Sequence, residues 1–212
     1  MTMIDDTTDG VELRTVPVQQ RSNERMQKLL DAAAHIIAAE GIDAVTTTSV
    51  AYHSGSSVGV IYRYFPNIDS LLRALAHRNL QRYLARVEEG SDHTPDAPWS
   101  SWDSTLDSFV EMCRNEPSFR QLGFGDIIND RFLDNEVSNN TVVAKAFAGM
   151  VSETHSIPVN DDMLFHIEAA VWMGDALMKR AFRSDPLGDQ RFVNEARHVI
   201  GDYLRTNIPI PS

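Results

Sequence analysis

The sequence is poor in cysteine, proline and glycine and has no long apolar run. Its 212 residues hold one cysteine, Cys113. A single thiol excludes an intrachain disulfide and a thiolate zinc site, and it makes the cytoplasm the expected compartment. Nine prolines and eleven glycines rule out collagen and low-complexity repeats. No stretch approaches the roughly 18–20 apolar residues of a membrane span. The opening MTMIDDTTDG is acidic and polar, unlike a signal peptide. His35, His53, His77, His93, His155, His166 and His198 are scattered, without H-E-x-x-H or comparable spacing. Neither a metal nor another cofactor is expected. What is present, 42% hydrophobic and 23% charged residues, is the composition of a globular chain.

Positive charge is also scarce. The net charge of −11 argues against nucleic acid when the chain is taken whole. The charge is unevenly spread. Residues 1–20 hold Arg14 against four acids, and residues 85–212 hold 11 bases against 21 acids. Residues 21–84 are the one basic block, with seven bases against five acids. Such an excess is also ordinary for a protein surface, so the residues of that block must decide.

Apolar spacing is helical from residue 22 onward. Residues 1–20 lack periodicity and are expected to be a disordered arm. Ser22 is a candidate cap for a first helix with Met26, Leu29, Leu30, Ala33, Ile36 and Ile37 on one face, ended by Gly41. Thr46-Thr47-Thr48 opens a second helix to about His53, broken by Ser54-Gly55-Ser56. Ser56 or Ser57 caps a third short helix that Pro66 stops. Asn67 caps a fourth, carrying Leu71, Leu72, Leu75, Leu80 and Leu84. After a linker at 90–98, helices are expected around 102–113, from Pro117, over 141–155, over 161–182 and from Phe192 to Leu204. No strand or internal repeat is evident, so the fold class is all-α.

Two short helices joined by a glycine-containing turn form a helix-turn-helix unit. Gly55 stands where the turn needs positive φ. Ala51 is small where the helices cross, and Val50 and Ile61 are placed to lock the pair onto the first helix. Gly59 leaves the start of the third helix bare, so that a duplex can approach its backbone. The free N–H groups and positive dipole end there suit phosphate. Neutral donors such as Thr47, Ser57, Tyr62 and Tyr64 can hold phosphate without positive charge.

The stretch IDAVTTTSVAYHSGSSVGVIYRYFPNIDSLLRAL, residues 42–75, resembles the DNA-binding signature of TetR-type transcriptional repressors. Gly41-Ile42, Thr46-Thr47, Val50-Ala51, Gly55, Ser57, Gly59, Ile61-Tyr62, Tyr64-Phe65 and the helix opening Asn67–Leu72 carry the likeness. The resemblance implies a DNA-binding domain over 21–66 and an effector-binding and dimerisation domain over 67–212. It implies a cytoplasmic homodimer, without enzyme activity, that represses from a palindromic double-stranded operator. A small, apolar effector of unknown identity would enter the C-terminal bundle and swing the helix at 67–88. At the positions of Thr48 and Ile68 the family commonly carries a base, and Ser56 replaces a usual small apolar residue. Fewer charged phosphate contacts imply a shallower salt dependence, about −0.9 in log–log slope per phosphate neutralised.

By that resemblance Thr47, Thr48, Ser57, Val58, Gly59, Val60, Tyr62, Arg63 and Tyr64 form the DNA-binding set. Arg63 suits guanine and Val60 a thymine methyl, with Val58 beside them. The alternatives are a solvated arginine, packed valines, capping hydroxyls and core tyrosines. Arg21, Arg25 and Lys28 either touch flanking phosphates or form a solvated face. Phe109, Met112, Cys113, Phe119, Phe124, Phe147, Met150 and Trp172 are the effector candidates, each with plain core packing as its alternative. Ala170, Gly174, Ala196, Val199, Ile200 and Tyr203 are the dimer candidates, with an intrachain bundle as the alternative.

Two other functions compete. A helical ligand-binding protein that does not bind DNA fits the uncharged Thr48 and Ile68. A serine hydrolase fits the match of Gly55-Ser56-Ser57-Val58-Gly59 to G-x-S-x-G, although that elbow follows a strand in an α/β sheet.

Overall fold

The computed structural model describes residues 15–90, 100–123 and 139–210. Among these, helices are the only regular structure. Helix α1 spans Thr15–Glu40. It begins well before Ser22, so residues 15–20 of the expected arm are helical. The physical reason is cooperativity: once a turn exists, each added residue gains a hydrogen bond. Pro17 is tolerated in the first turn, where no N–H is required. Ser22 therefore has no capping role, and its hydroxyl donates to Tyr64 Oη at 3.3 Å.

Gly41, at φ 90°, ends α1 and leads through a 3-10 turn over Ile42–Ala44. Helices α2, Thr47–Ser54, and α3, Val58–Tyr64, follow. Phe65 is extended ahead of Pro66, as the residue before a proline prefers. Helix α4 covers Ile68–Gly90. Asn67 caps it by accepting from the Ser70 amide at 2.8 Å. The C-terminal helices are α5, Ser100–Asn115, and α6, Pro117–Leu122. Numbering the described helices onward gives α7, Asn139–His155; α8, Asp161–Phe182; and α9, Gln190–Asn207.

Two hydrophobic cores divide the described chain. Leu29, Ala33, Ile36 and Ile37 of α1 pack with Val50 and Ala51 of α2, Ile61 of α3, and Leu71, Leu72 and Leu75 of α4. Leu122 of α6 joins this first core. The second core runs from Leu80, Tyr83 and Val87 of α4 through α5–α9. Helix α4 thus serves both cores with successive turns. Each fully buried Leu or Ile contributes about 1.5–3 kcal/mol relative to exposure. Arg78 pairs with Asp31 of α1 at 2.6 Å, and Arg82 grips Glu116, just ahead of α6, with bonds of 2.6 and 2.8 Å.

Candidate nucleic-acid interface and bundle cavity

Local chemistry builds the helix pair. Thr46 and Ser49 form a reciprocal capping box at the start of α2, with bonds of 3.0 and 2.9 Å. This satisfies two otherwise orphaned donors. At the other end Gly55 is left-handed, φ 65°. Its amide donates to the Tyr52 carbonyl and the Ser56 amide to the Ala51 carbonyl at 3.0 Å. The two bonds make a Schellman closure, which a side chain at Gly55 would strain.

Helix α3 then stands outward. Ile61 is its buried residue. Ser57, Val58, Gly59, Tyr62 and Arg63 are exposed, and Val60 is half-buried. Ser57 occupies the N-cap position, yet its side chain makes no capping bond. Its hydroxyl is thus left out of the cap, while its carbonyl accepts from the Val60 and Ile61 amides at 2.9 and 3.3 Å. A Cβ built on Gly59 meets nothing closer than Ser57 Oγ at 3.9 Å. The protein's own packing does not demand glycine there. Thr48 is exposed and Thr47 half-buried at the start of α2. Tyr64 is half-buried against the first core and receives the Ser22 hydrogen bond, which favours its packing alternative. Arg21, Arg25 and Lys28 are all exposed on α1.

Tyr52 escaped the sequence reading. It is 83% exposed on α2, with its ring edge-on to His53. The signal was available, because burial of Val50 and Ala51 turns the next residue outward. Ser57 follows a helix and a left-handed turn. The strand required for a hydrolase elbow is absent there, so the G-x-S-x-G match is not that elbow.

A cleft of about 490 Å³ opens at the edge of the second core, lined by Phe109, Cys113, Phe119, Gln121, Leu122, Asp175 and Met178, with the basic Arg120, Lys179 and Arg183 at its walls. A smaller chamber of about 40 Å³ shares Phe109, Asp175 and Met178 as walls and adds Trp102 and Asn140. Three effector candidates, Phe109, Cys113 and Phe119, are thus brought together. Burial pushes the Cys113 thiol up to about 12, and the Arg120 guanidinium partly offsets the shift. The thiol is a protonated wall rather than a nucleophile. Burial also raises Tyr83, whose hydroxyl donates to the Thr105 carbonyl at 3.1 Å.

Other effector candidates are placed elsewhere. Met112 and Phe147 are core residues that line neither chamber, and Met150 packs half-buried against the core. Trp172 is corrected outright: it is 44% exposed on the outer face of α8. Phe124 lies outside the described residues.

Four of the six dimer candidates need a similar correction. Ala170, Gly174, Ala196 and Ile200 are buried within the chain itself. A Cβ on Gly174 would stand 3.4 Å from Ile200 Cδ1 and 3.5 Å from the Trp102 ring. The helix that packs closely on the small residues of α8 is the chain's own α9. Val199 is exposed, and Tyr203 is half-buried with its hydroxyl 2.8 Å from His166 Nδ1.

An outward three-helix head joined by α4 to a helical bundle defines a helix-turn-helix regulator. Residues 29–75 match the model of bacterial regulatory proteins of the tetR family, and residues 96–208 match the tetracyclin repressor-like C-terminal domain. The chain belongs to the tetR family. Members bind DNA and effector ligands and act as dimers. A TetR-family transcriptional regulator from Streptomyces coelicolor superposes with a TM-score of 0.72 at 31% identity, over 87% of this chain and 99% of that one. The uncharacterised HTH-type transcriptional regulator YfiR of Bacillus subtilis is 26% identical over 97 residues, 46% of each chain. The HTH-type nicotine-responsive transcriptional repressor HdnoR of Paenarthrobacter nicotinovorans is 32% identical over 72 residues, 32% of this chain and 37% of its own. The chain thus spans less than half the length of these two relatives. Among the described residues, no helix is long and apolar enough to cross a membrane.

Proposed function

We propose that the protein is a homodimeric transcriptional repressor that α3 seats on a palindromic operator and that a small, mainly apolar effector releases. The supporting observation is the outward face of α3: Ser57, Val58, Gly59, Tyr62 and Arg63 are exposed while buried Ile61 and half-buried Tyr64 anchor the helix. Arg63 reads guanine in the major groove, and Val58 and Val60 meet base edges. Thr47, Thr48, Ser57 and Tyr62 hold phosphate, with Tyr52 added to them.

One short helix reads only a few base pairs, so a second copy is required. Two recognition helices roughly one turn, about 34–36 Å, apart read a palindrome. The face that supports pairing is apolar and outward: Phe165 and Trp172 stand seven residues apart on α8, and Val199 projects from α9. In this reading Trp172 moves from the effector set to the dimer set.

Release runs through α6. Phe119, Gln121 and Leu122 wall the larger cavity, while Leu122 is also part of the head's core. A ligand that repositions α6 moves α1 and α4 with it, and ligand and operator then oppose each other with one reciprocal coupling. A gel-shift selection from genomic fragments tests the reading. The full chain is expected to retain a palindrome, and Arg63→Ala to cost about 1–3 kcal/mol of that binding. Failure to retain any fragment favours the ligand-binding protein without DNA binding.

A further inference from the structure

We infer that Asn140 and Trp102 are the polar anchor of the cavity, and that they select a neutral ligand bearing a carbonyl with an adjacent N–H, an amide or lactam on an apolar body. The inference rests on the reading of the bundle as an effector site and deepens it.

Asn140 of α7 is 1% exposed, and neither its Nδ2 nor its Oδ1 has a hydrogen-bond partner. Trp102 of α5 is 5% exposed, and its Nε1 is likewise unpartnered. Both side chains line the same small chamber. Folded proteins satisfy nearly all buried polar atoms, because each one left open destabilises the fold. Two side chains that carry three open atoms line one chamber, and this marks it as a place where polarity is kept for an incoming group.

The donor and acceptor pattern identifies that group. The Asn140 amide offers N–H and C=O side by side, and a ligand amide returns both bonds. The ligand carbonyl has a second lone pair for the Trp102 N–H. An anionic head is disfavoured: among the described residues no lysine, arginine or histidine lines the chamber, and the Asp175 carboxylate does. A cationic head is disfavoured too, since Lys179 already pairs with Asp175 at 2.6 Å. An ammonium would also leave the Trp102 and Asn140 N–H groups unmet. Of the remaining walls, Leu106, Phe109, Val143, Val171 and Met178 suit hydrocarbon, and the Tyr83 hydroxyl there already donates to the Thr105 carbonyl. The larger cavity shares Phe109, Asp175 and Met178 as walls, and a tail laid along Phe109 and Met178 enters it on its apolar side, opposite Arg120 and Arg183.

Octanamide, methyl octanoate and octanoate carry one tail and three heads. Calorimetric titration of the full chain is expected to find octanamide about tenfold tighter than the ester, which lacks the N–H for Asn140 Oδ1, and octanoate weakest. Asn140→Leu is expected to bring amide and ester within about threefold of each other and to raise the Tm of the ligand-free protein, because an open polar group is removed. Trp102→Phe keeps an aromatic side chain but loses the donor along with part of the ring, so it is expected to weaken amide and ester together.

Equal binding of amide and ester to the wild type, or no octanamide binding, overturns the anchor. So does a lower Tm for Asn140→Leu, which would make Asn140 a structural residue satisfied by water. Operator affinity measured in parallel separates the two levels. Amide bound with preference but without effect on operator affinity refutes the switch and leaves the anchor standing.

Discussion

Gln121 Nε2 donates to the Ile37 carbonyl at 3.0 Å, joining the wall of the larger cavity to the end of α1. The next residue, Leu122, is 2% exposed and belongs to the N-terminal core. Helix α6 therefore has a cavity on one side and the DNA-binding head on the other. Gln121→Ala is expected to cut the effect of a saturating ligand on operator affinity by about three- to tenfold, the scale of one hydrogen bond, with ligand affinity titrated alongside because Gln121 also walls the cavity. The measurement is operator Kd with and without a saturating cavity ligand. A ratio equal to that of the wild type rules out this route of coupling.

Gly59 separates folding from recognition. Space exists for a methyl group there, and alanine favours a helix over glycine by up to about 1 kcal/mol. Gly59→Ala is expected to keep or raise thermal stability while weakening operator binding on the order of tenfold, as a methyl intrudes between α3 and the groove. Gly55→Ala is expected to do the reverse. With φ at 65° it loses about 1–2 kcal/mol of stability. Melting curves and gel shifts on both variants decide.

Trp172 and Ile200 provide a matched pair on the last two long helices. Trp172→Arg places charge on an exposed apolar face and is expected to yield monomers in analytical ultracentrifugation with unchanged helical circular dichroism. Ile200→Ala empties a fully buried site and is expected to cost about 2–5 kcal/mol. A dimeric Trp172→Arg protein would remove Trp172 from the interface.

Asp189 caps α9 and accepts from the Arg191 amide at 3.0 Å and from Nη2 at 2.7 Å. The Arg191 side-chain and backbone bonds hold its carboxyl down at about 2, below the ordinary 3.8. A depressed folded value stabilises above the unfolded value, and the contribution disappears as pH falls from about 4 to about 2. Asp189→Asn keeps a capping oxygen and removes the charge. Acid titration followed by circular dichroism is expected to lose that part of the slope in the variant. An unchanged slope would show that the pairing contributes nothing.

The head was legible because its determinants are local. Thr46, Gly55, Asn67 and Pro66 each act on backbone within a few residues, so their positions set helix ends directly. The start of α1 was less legible, since helix propagation past Ser22 depends on cooperativity rather than on a cap. The bundle was legible as helices but not as neighbours. Periodicity puts Ala170 and Gly174 on one stripe without saying whose helix lies against it, and the partner is α9 of the same chain. The same ambiguity turned Trp172 inward on paper. Asn140 gave no signal, because a polar residue near a helix start reads as exposed. Only three-dimensional packing reveals its burial.

The narrow inner face of α3 has an evolutionary corollary. With Ile61 holding the helix and Gly55 setting its approach, the residues at 58, 59, 62 and 63 carry almost no structural duty. They are free to drift under selection for a new target site without disturbing the scaffold. Duplicated copies of such a gene can therefore diverge in the sequences they recognise while their sensing halves remain intact.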